Sequence, residues 1–120
     1  MNIGLVKGRH EMPVDRWVFE DGIPDDKLND YDWLMGRCVL AIGENRYANM
    51  NLYVSGFTPA TVAFLRAWDS WRTMLHFRAG NVDASELLSL SLMHYNPTTK
   101  EYDEQVWFEG ENRMEWMQGD

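Results

Sequence analysis

Five consecutive residues near the N-terminus carry the densest group of reactive side chains: Lys7, Gly8, Arg9, His10 and Glu11. Arg9 presents a planar fork that suits phosphate or carboxylate, and Lys7 adds a compact positive charge. His10 can exchange a proton near neutral pH, with Glu11 as its partner. We predict that this segment binds an anionic ligand, and the alternative is an exposed polar turn.

A second group of hydrogen-bond donors follows a predicted strand in the middle of the chain. Gly56 permits a sharp turn, Thr58 can cap a helix, and Pro59 fits the first helical turn. The hydroxyl of Ser55 and the backbone N–H groups at the helix start can receive a polar ligand, and Phe57 can stack on a base. Helix capping alone accounts for the same residues, and the segment matches neither the GxGxxG fingerprint nor the phosphate loop that ends in Gly-Lys-Ser/Thr.

The other reactive residue types show no catalytic or metal-binding spacing. His94 closes a predicted strand beside Tyr95, so it is either a third contributor to the site or a hydrogen-bonded strand-end residue. Three histidines and one cysteine lack the spacing of metal ligands, so we predict no metal site and no cofactor. Cys38 falls on the apolar stripe of a predicted helix, which assigns it to the core.

The elements that position these residues alternate between strand and helix. Apolar and β-branched residues predict strands at 3–6, 50–54, 88–94 and 102–108, with a brief extended segment at 17–19.

A first helix is predicted from Asp30 or Asp32, with a buried stripe of Leu34, Cys38, Ala41 and Ile42. A second helix is predicted from Pro59 to about Ala79, with Gly80 as its stop. Its predicted buried stripe consists of Val62, Leu65, Trp68, Trp71 or Arg72, and Leu75. The alternative is a break near Asp69 that leaves a mobile segment through Ser85.

This order predicts a small Rossmann-like α/β domain with a mostly parallel sheet, helices on its faces and a C-terminal antiparallel hairpin. The single domain spans 1–120, and 109–120 is a polar tail. In such sheets the ligand lies outside the carboxyl ends of the strands. We therefore expect the loops at 7–13 and 55–58 to converge at one edge, together with the strand end at 94–96.

Composition narrows the classes of function. The net charge of −8 argues against direct, nonspecific nucleic-acid binding, although residues 1–16 are locally basic. One cysteine favours the cytoplasm, and no apolar run is long enough for a membrane span or a signal peptide. Six tryptophans and eight methionines are many for this length. Most of them are assigned to the core, and a surplus on a self-association surface would favour a homodimer.

The layout resembles the small Rossmann-type domains of the CRISPR-associated Rossmann fold (CARF) group and the related compact ring nucleases. The resemblance rests on the first strand followed by Lys7-Gly8-Arg9-His10 and on the later strand followed by Ser55-Gly56-Phe57-Thr58-Pro59, and it covers the architecture of residues 3–95. It implies a dimer that binds a nucleotide-derived signalling molecule across its two-fold axis. The chain is also similar to small proteins carried by bacterial viruses.

The leading prediction is a protein that binds, and sequesters or cleaves, a cyclic nucleotide in a counter-defence role. Cleavage would be metal-independent, with His10 or His94 transferring the proton. One alternative is an acidic inhibitor that mimics nucleic acid toward a protein target, using carboxylates at 20–32 and 101–115. The other alternative is a structural or assembly protein.

Overall fold

A computed structural model describes residues 1–8, 11–44, 49–79 and 88–109, without the side chains of 75–79. The predictions that lie outside the described residues concern Arg9, His10, the side chain of Leu75, Gly80, the segment at 80–87 and the tail at 110–120.

The chain folds as an α/β structure whose elements follow the predicted order. The strands are β1 (Asn2–Val6), β2 (Arg16–Phe19), β3 (Met50–Tyr53), β4 (Ser89–Asn96) and β5 (Glu101–Glu109). The helices are α1 (Tyr31–Glu44) and α2 (Thr58–Ala79), and a 3-10 turn spans Asp25–Lys27. The long second helix is confirmed, because α2 continues without a break through Asp69. Among the described residues, no helix has the length and apolarity that a membrane crossing requires.

One mixed sheet holds all five described strands in the order β2-β1-β3-β4-β5. The pairs from β2 to β4 are parallel, and β4 pairs with β5 in the antiparallel sense. The mostly parallel sheet and the C-terminal hairpin are therefore confirmed.

The three predicted strands at 3–6, 50–54 and 88–94 lie in the parallel part of the sheet, and a fourth strand joins them. The additional strand is β2, which lies beside β1 although only nine residues, 7–15, connect the two. Parallel neighbours usually need a connection of about a dozen residues or more. Nine residues are enough here, because β1 has only five residues and the connection has to return only about 16 Å. Asp15 closes the loop, because its N–H donates to the Asn2 carbonyl at 2.9 Å.

Both helices pack against each other on one face of the sheet, rather than on opposite faces. The crossovers from β2 to β3 and from β3 to β4 advance in the same direction across the sheet. Crossovers of one hand that advance in one direction place their helices on the same side. The second sheet face therefore has no helix over it within the described ranges.

The buried stripe of α2 differs from the predicted one. Val62 is 48% exposed, so its assignment to the core was wrong. The buried positions repeat at spacings of three and four residues: Ala60, Ala63, Phe64, Ala67 and Trp68. Three alanines leave room for close approach to α1, while the two aromatic rings fill the space above the sheet.

The two helices begin in different ways. Asp30 caps α1, because its carboxylate accepts a hydrogen bond from the Trp33 N–H at 3.1 Å. Thr58 does not cap α2 as predicted, since it is the first helical residue. Before it, the Ser55 hydroxyl accepts a hydrogen bond from the Phe57 N–H at 3.3 Å and shapes the turn into the helix.

The second sheet face carries an aromatic ring over a glycine. Gly4 pairs with Trp17, and a Cβ at Gly4 would lie 2.5 Å from Cε3 and Cζ3 of the indole. The absence of a side chain at Gly4 thus lets Trp17 lie flat on the strand.

We predict that Gly4→Ala lowers the free energy of unfolding by about 1–3 kcal/mol, because the indole must move away from the new methyl group. Urea denaturation measures the change. In a Trp17→Ala background the same substitution should cost less, and an equal cost in both backgrounds would refute the steric explanation.

Candidate functional site

A crevice of about 250 Å³ opens at the carboxyl edge of the parallel strands. Its described lining consists of Val6, Gly8, Met12, Val54, Ser55, Gly56, Tyr95 and Tyr102. Aliphatic and thioether groups form part of the wall, two phenol rings form another part, and bare backbone forms the rest.

The crevice lies where two chain connections diverge. After β1 the chain turns toward β2, whereas after β3 it enters α2 and crosses to β4 on the opposite side. A gap between connections that leave in opposite directions is the usual ligand position in an open α/β sheet. Gly8 borders this gap from the first loop, and Ser55 and Gly56 border it from the second.

The two glycines of the crevice present exposed backbone. A Cβ at Gly8 or at Gly56 would meet no described atom within 4 Å, and neither residue has a left-handed φ. The fold therefore does not require glycine at these positions. What glycine provides is close access to the main chain from the crevice.

Two tyrosines, Tyr95 and Tyr102, line the other wall of the crevice, and Tyr53 packs against Tyr102 behind it. The ring centroid of Tyr102 lies 4.8 Å from that of Tyr53 and 5.5 Å from that of Tyr95, both in edge-to-face contacts. The Tyr102 hydroxyl oxygen is shielded from solvent and has no hydrogen-bond partner among the described residues. Burial raises the pKa of Tyr102, and the neighbouring Tyr53 and Tyr95 raise it further. Tyr102 is therefore a neutral O–H donor at physiological pH.

The first predicted loop is described only in part. Lys7 and Glu11 are exposed, and neither belongs to the lining of the crevice. In the second loop, Phe57 packs against the hydrophobic core, and Thr58 is exposed at the start of α2. Of the eight residues predicted to bind ligand, the structure brings Gly8, Ser55 and Gly56 together at the crevice, whereas Arg9 is not described.

Neither His94 nor Cys38 lies at the crevice. His94 precedes Tyr95 on β4, so the two side chains leave opposite sheet faces. The His94 Nε2 atom forms a 2.7 Å hydrogen bond with the Gln105 amide oxygen, outside the crevice. Cys38 is fully buried in α1, and burial raises the pKa of its thiol to about 12. A buried, protonated thiol is not a nucleophile.

Sequence reasoning missed Tyr102 and treated Tyr95 only as a neighbour of His94. A signal was present, because Asn96-Pro97-Thr98-Thr99 is typical of a turn, and a turn fixes the pairing of the strands on either side of it. In the observed register Asn96 pairs with Glu101, and Tyr95 pairs with Tyr102 one position further along. Deriving this register from the turn would have placed both rings on one face.

A second, wider hollow lies near the start of α1. It has a volume of about 540 Å³ and is lined by Asp26, Asn29, Asp30, Tyr31 and Asp32. Asp30 already caps α1 and lies 3.5 Å from Lys27 Nζ, so part of this acidic group has structural partners. Within the described residues, no group of three His, Cys, Asp or Glu side chains could hold a metal ion.

No protein-family model matches the sequence, and no significant match is found among curated proteins or solved structures. The chemistry of the crevice therefore carries the functional argument.

We predict that Tyr102→Phe makes the protein more resistant to alkali. Folding raises this pKa above its ordinary value of 10.0, so the stabilising contribution is complete below pH 10 and is lost as the pH rises through the folded pKa. Phenylalanine keeps both ring contacts and cannot ionise. Urea denaturation between pH 7 and pH 11 should show a shallower alkaline decline for the variant than for the wild type.

The matched control is Tyr31→Phe, which alters a 62% exposed tyrosine. If both variants follow the wild-type alkaline decline, the assignment of that decline to Tyr102 is wrong.

Proposed function

We propose that the protein binds a nucleotide-derived signalling molecule in the crevice and sequesters it in the cytosol, in a counter-defence role. The observation that supports this proposal most directly is the shared border of the crevice, formed by two glycine loops and the Tyr95–Tyr102 pair. Phenol rings can stack on a base, and open backbone can receive phosphate oxygens.

The size of the crevice limits the ligand. Its volume of about 250 Å³ is just below the usual range of small-molecule sites, roughly 300–1,000 Å³. A ligand of this kind would place one base or one sugar-phosphate group in the crevice, and a cyclic oligonucleotide would extend well beyond it. A homodimer could supply a second crevice for such a ligand.

The unpaired hydroxyl of Tyr102 supports a polar ligand. A buried donor without an acceptor costs about 1–3 kcal/mol, which a ligand acceptor at hydrogen-bond distance would offset. A base nitrogen, a ribose oxygen or a phosphate oxygen can each fill this role.

Phosphate would lie toward the glycine loops. Neither Gly8 nor Gly56 uses its N–H in a hydrogen bond to another described residue. The Ser55 oxygen accepts from Phe57, so the Ser55 O–H hydrogen is available to a ligand. Lys7, which directly precedes Gly8, supplies positive charge near this wall.

Binding is better supported than cleavage. The described lining holds no histidine or carboxylate that could move a proton, and His94 hydrogen-bonds elsewhere. Cleavage would require His10, outside the described residues, as the proton-transfer group.

The acidic-inhibitor function remains a second candidate because of one observation on β5. Four exposed carboxylates, Glu101, Asp103, Glu104 and Glu109, occupy this edge strand without a basic residue among them. A nucleic-acid mimic needs such a row of negative charge. Its binding to a protein target would fall steeply with salt, whereas ligand binding in the crevice would depend on salt much less.

We predict that titration calorimetry with cyclic oligonucleotides, cyclic ADP-ribose isomers and mononucleotides detects at least one ligand. Gly56→Leu should weaken that binding by about tenfold or more, equivalent to about 1.4 kcal/mol, because the new side chain occupies the open space at the crevice. Tyr102→Phe should also weaken binding, since it removes the unpaired donor.

The matched control for this titration is Ser70→Ala, an exposed position on α2 outside the crevice lining. Its affinity should equal that of the wild type. The proposal fails if no compound in the panel binds, or if a bound compound keeps its affinity in both crevice variants.

A further inference from the structure

The outer face of α1 carries apolar surface that the described residues leave uncovered. Leu40 is 60% exposed and Val39 is 47% exposed, although the helix already buries Leu34, Cys38 and Ile42 on its inner face. Single exposed aliphatic residues are common on protein surfaces. Val39 and Leu40 differ from such cases because they are adjacent in the middle of α1 and lie between two helical glycines.

Two glycines flank the exposed aliphatic pair on the same helix face. Gly36 lies one turn before Leu40 and Gly43 lies about one turn after it, so all three share the outer stripe. A Cβ at either glycine would meet no described atom within 4 Å outside the local helix backbone. Glycine is less favourable in a helix interior than every residue except proline, and packing among the described residues does not account for the pair. Close approach of another backbone does.

The charges beside this stripe fit a second copy of the same helix in antiparallel orientation. About a two-fold axis at Leu40, position 37 of one helix lies beside positions 43 and 44 of the other. Arg37 and Glu44 lie on the same flank of α1, and a perpendicular two-fold axis brings equal flanks together. The axis therefore places Arg37 beside the partner's Glu44. The two-fold symmetry creates a second, equivalent pair.

Among the described residues, Arg37 and Glu44 have no charged partner in the monomer. Both are exposed, and neither forms an ion pair with another described residue. Seven residues separate them along α1, about 10 Å of helix, which is too far for a direct pair within one helix. A parallel arrangement would leave Arg37 about 10 Å along the helix from the partner's Glu44, so only the antiparallel one brings the opposite charges together.

We propose that α1 forms a homodimer interface in which the outer faces of two copies cross in antiparallel orientation around Leu40. The glycines admit the partner backbone, Val39 and Leu40 supply the apolar centre, and two Arg37–Glu44 pairs fix the register. The helix is only about 21 Å long, so the buried area is at the small end of stable interfaces and the dimer dissociates reversibly. This inference does not depend on the ligand proposal.

Sedimentation equilibrium of the full chain across a concentration series tests the interface. The wild type should show a reversible monomer–dimer equilibrium, and Leu40→Glu should raise the dissociation constant by about tenfold or more, because it buries a charge at the centre. Val62→Glu is the matched control, since Val62 is a similarly exposed valine on α2. It should leave the equilibrium unchanged.

Charge reversal tests the orientation. Arg37→Glu and Glu44→Arg should each weaken the dimer, and the double variant should recover most of the wild-type affinity. Gly36→Ala should weaken the dimer without lowering the thermal stability of the monomer. The proposal is overturned if the wild type stays monomeric, if Leu40→Glu and Val62→Glu behave alike, or if the double charge reversal fails to restore association.

Discussion

The parallel pairing of β2 beside β1 determines how the rest of the molecule is arranged. It sends the first connection to one side of the sheet, and both helical crossovers then run back in the other direction. Because both crossovers advance the same way, both helices lie on one face and form one core with it. For the same reason, the connections after β1 and β3 separate at the carboxyl edge and leave the crevice between them.

This pairing is held by contacts at both ends of the two strands. The Asn2 N–H donates to the Asp15 carboxylate, the Asn2 side-chain amide donates to the Pro13 carbonyl, and the Lys7 N–H donates to the Phe19 carbonyl. At the far edge, the indole N–H of Trp107 donates to Asp69 on α2. These contacts fix the two edge strands to their neighbours, so the crevice is bordered by elements that the fold holds in place.

Much of the fold is encoded locally. Alternation of apolar and small polar residues was enough to predict β4, and the helical spacing of Leu34, Cys38 and Ile42 was enough to predict α1. The position of β2 was not predictable in this way, since four residues carry little periodicity and their pairing is a long-range property. The exposure of Val62 was missed for a similar reason, because α2 has apolar residues around much of its circumference and only packing selects the buried stripe.

The candidate site was predictable in part. Glycine loops after two strands can be recognised in the sequence, and Gly8, Ser55 and Gly56 do lie together. The roles of Phe57 and Tyr102 required the structure, because one ring packs into the core and the other reaches the crevice only through the register of a hairpin. Local sequence indicates which residues can do chemistry, whereas strand register decides which of them share a wall.

The most direct test of a ligand crevice at the carboxyl edge is an NMR titration of backbone amides with a nucleotide that the protein binds. The account predicts saturable shifts that are largest at Gly8, Ser55, Gly56, Tyr95 and Tyr102 and small along α1. Saturable shifts concentrated on α1 or on the carboxylate-bearing residues of β5, with none at Gly8, Ser55 or Gly56, would contradict it.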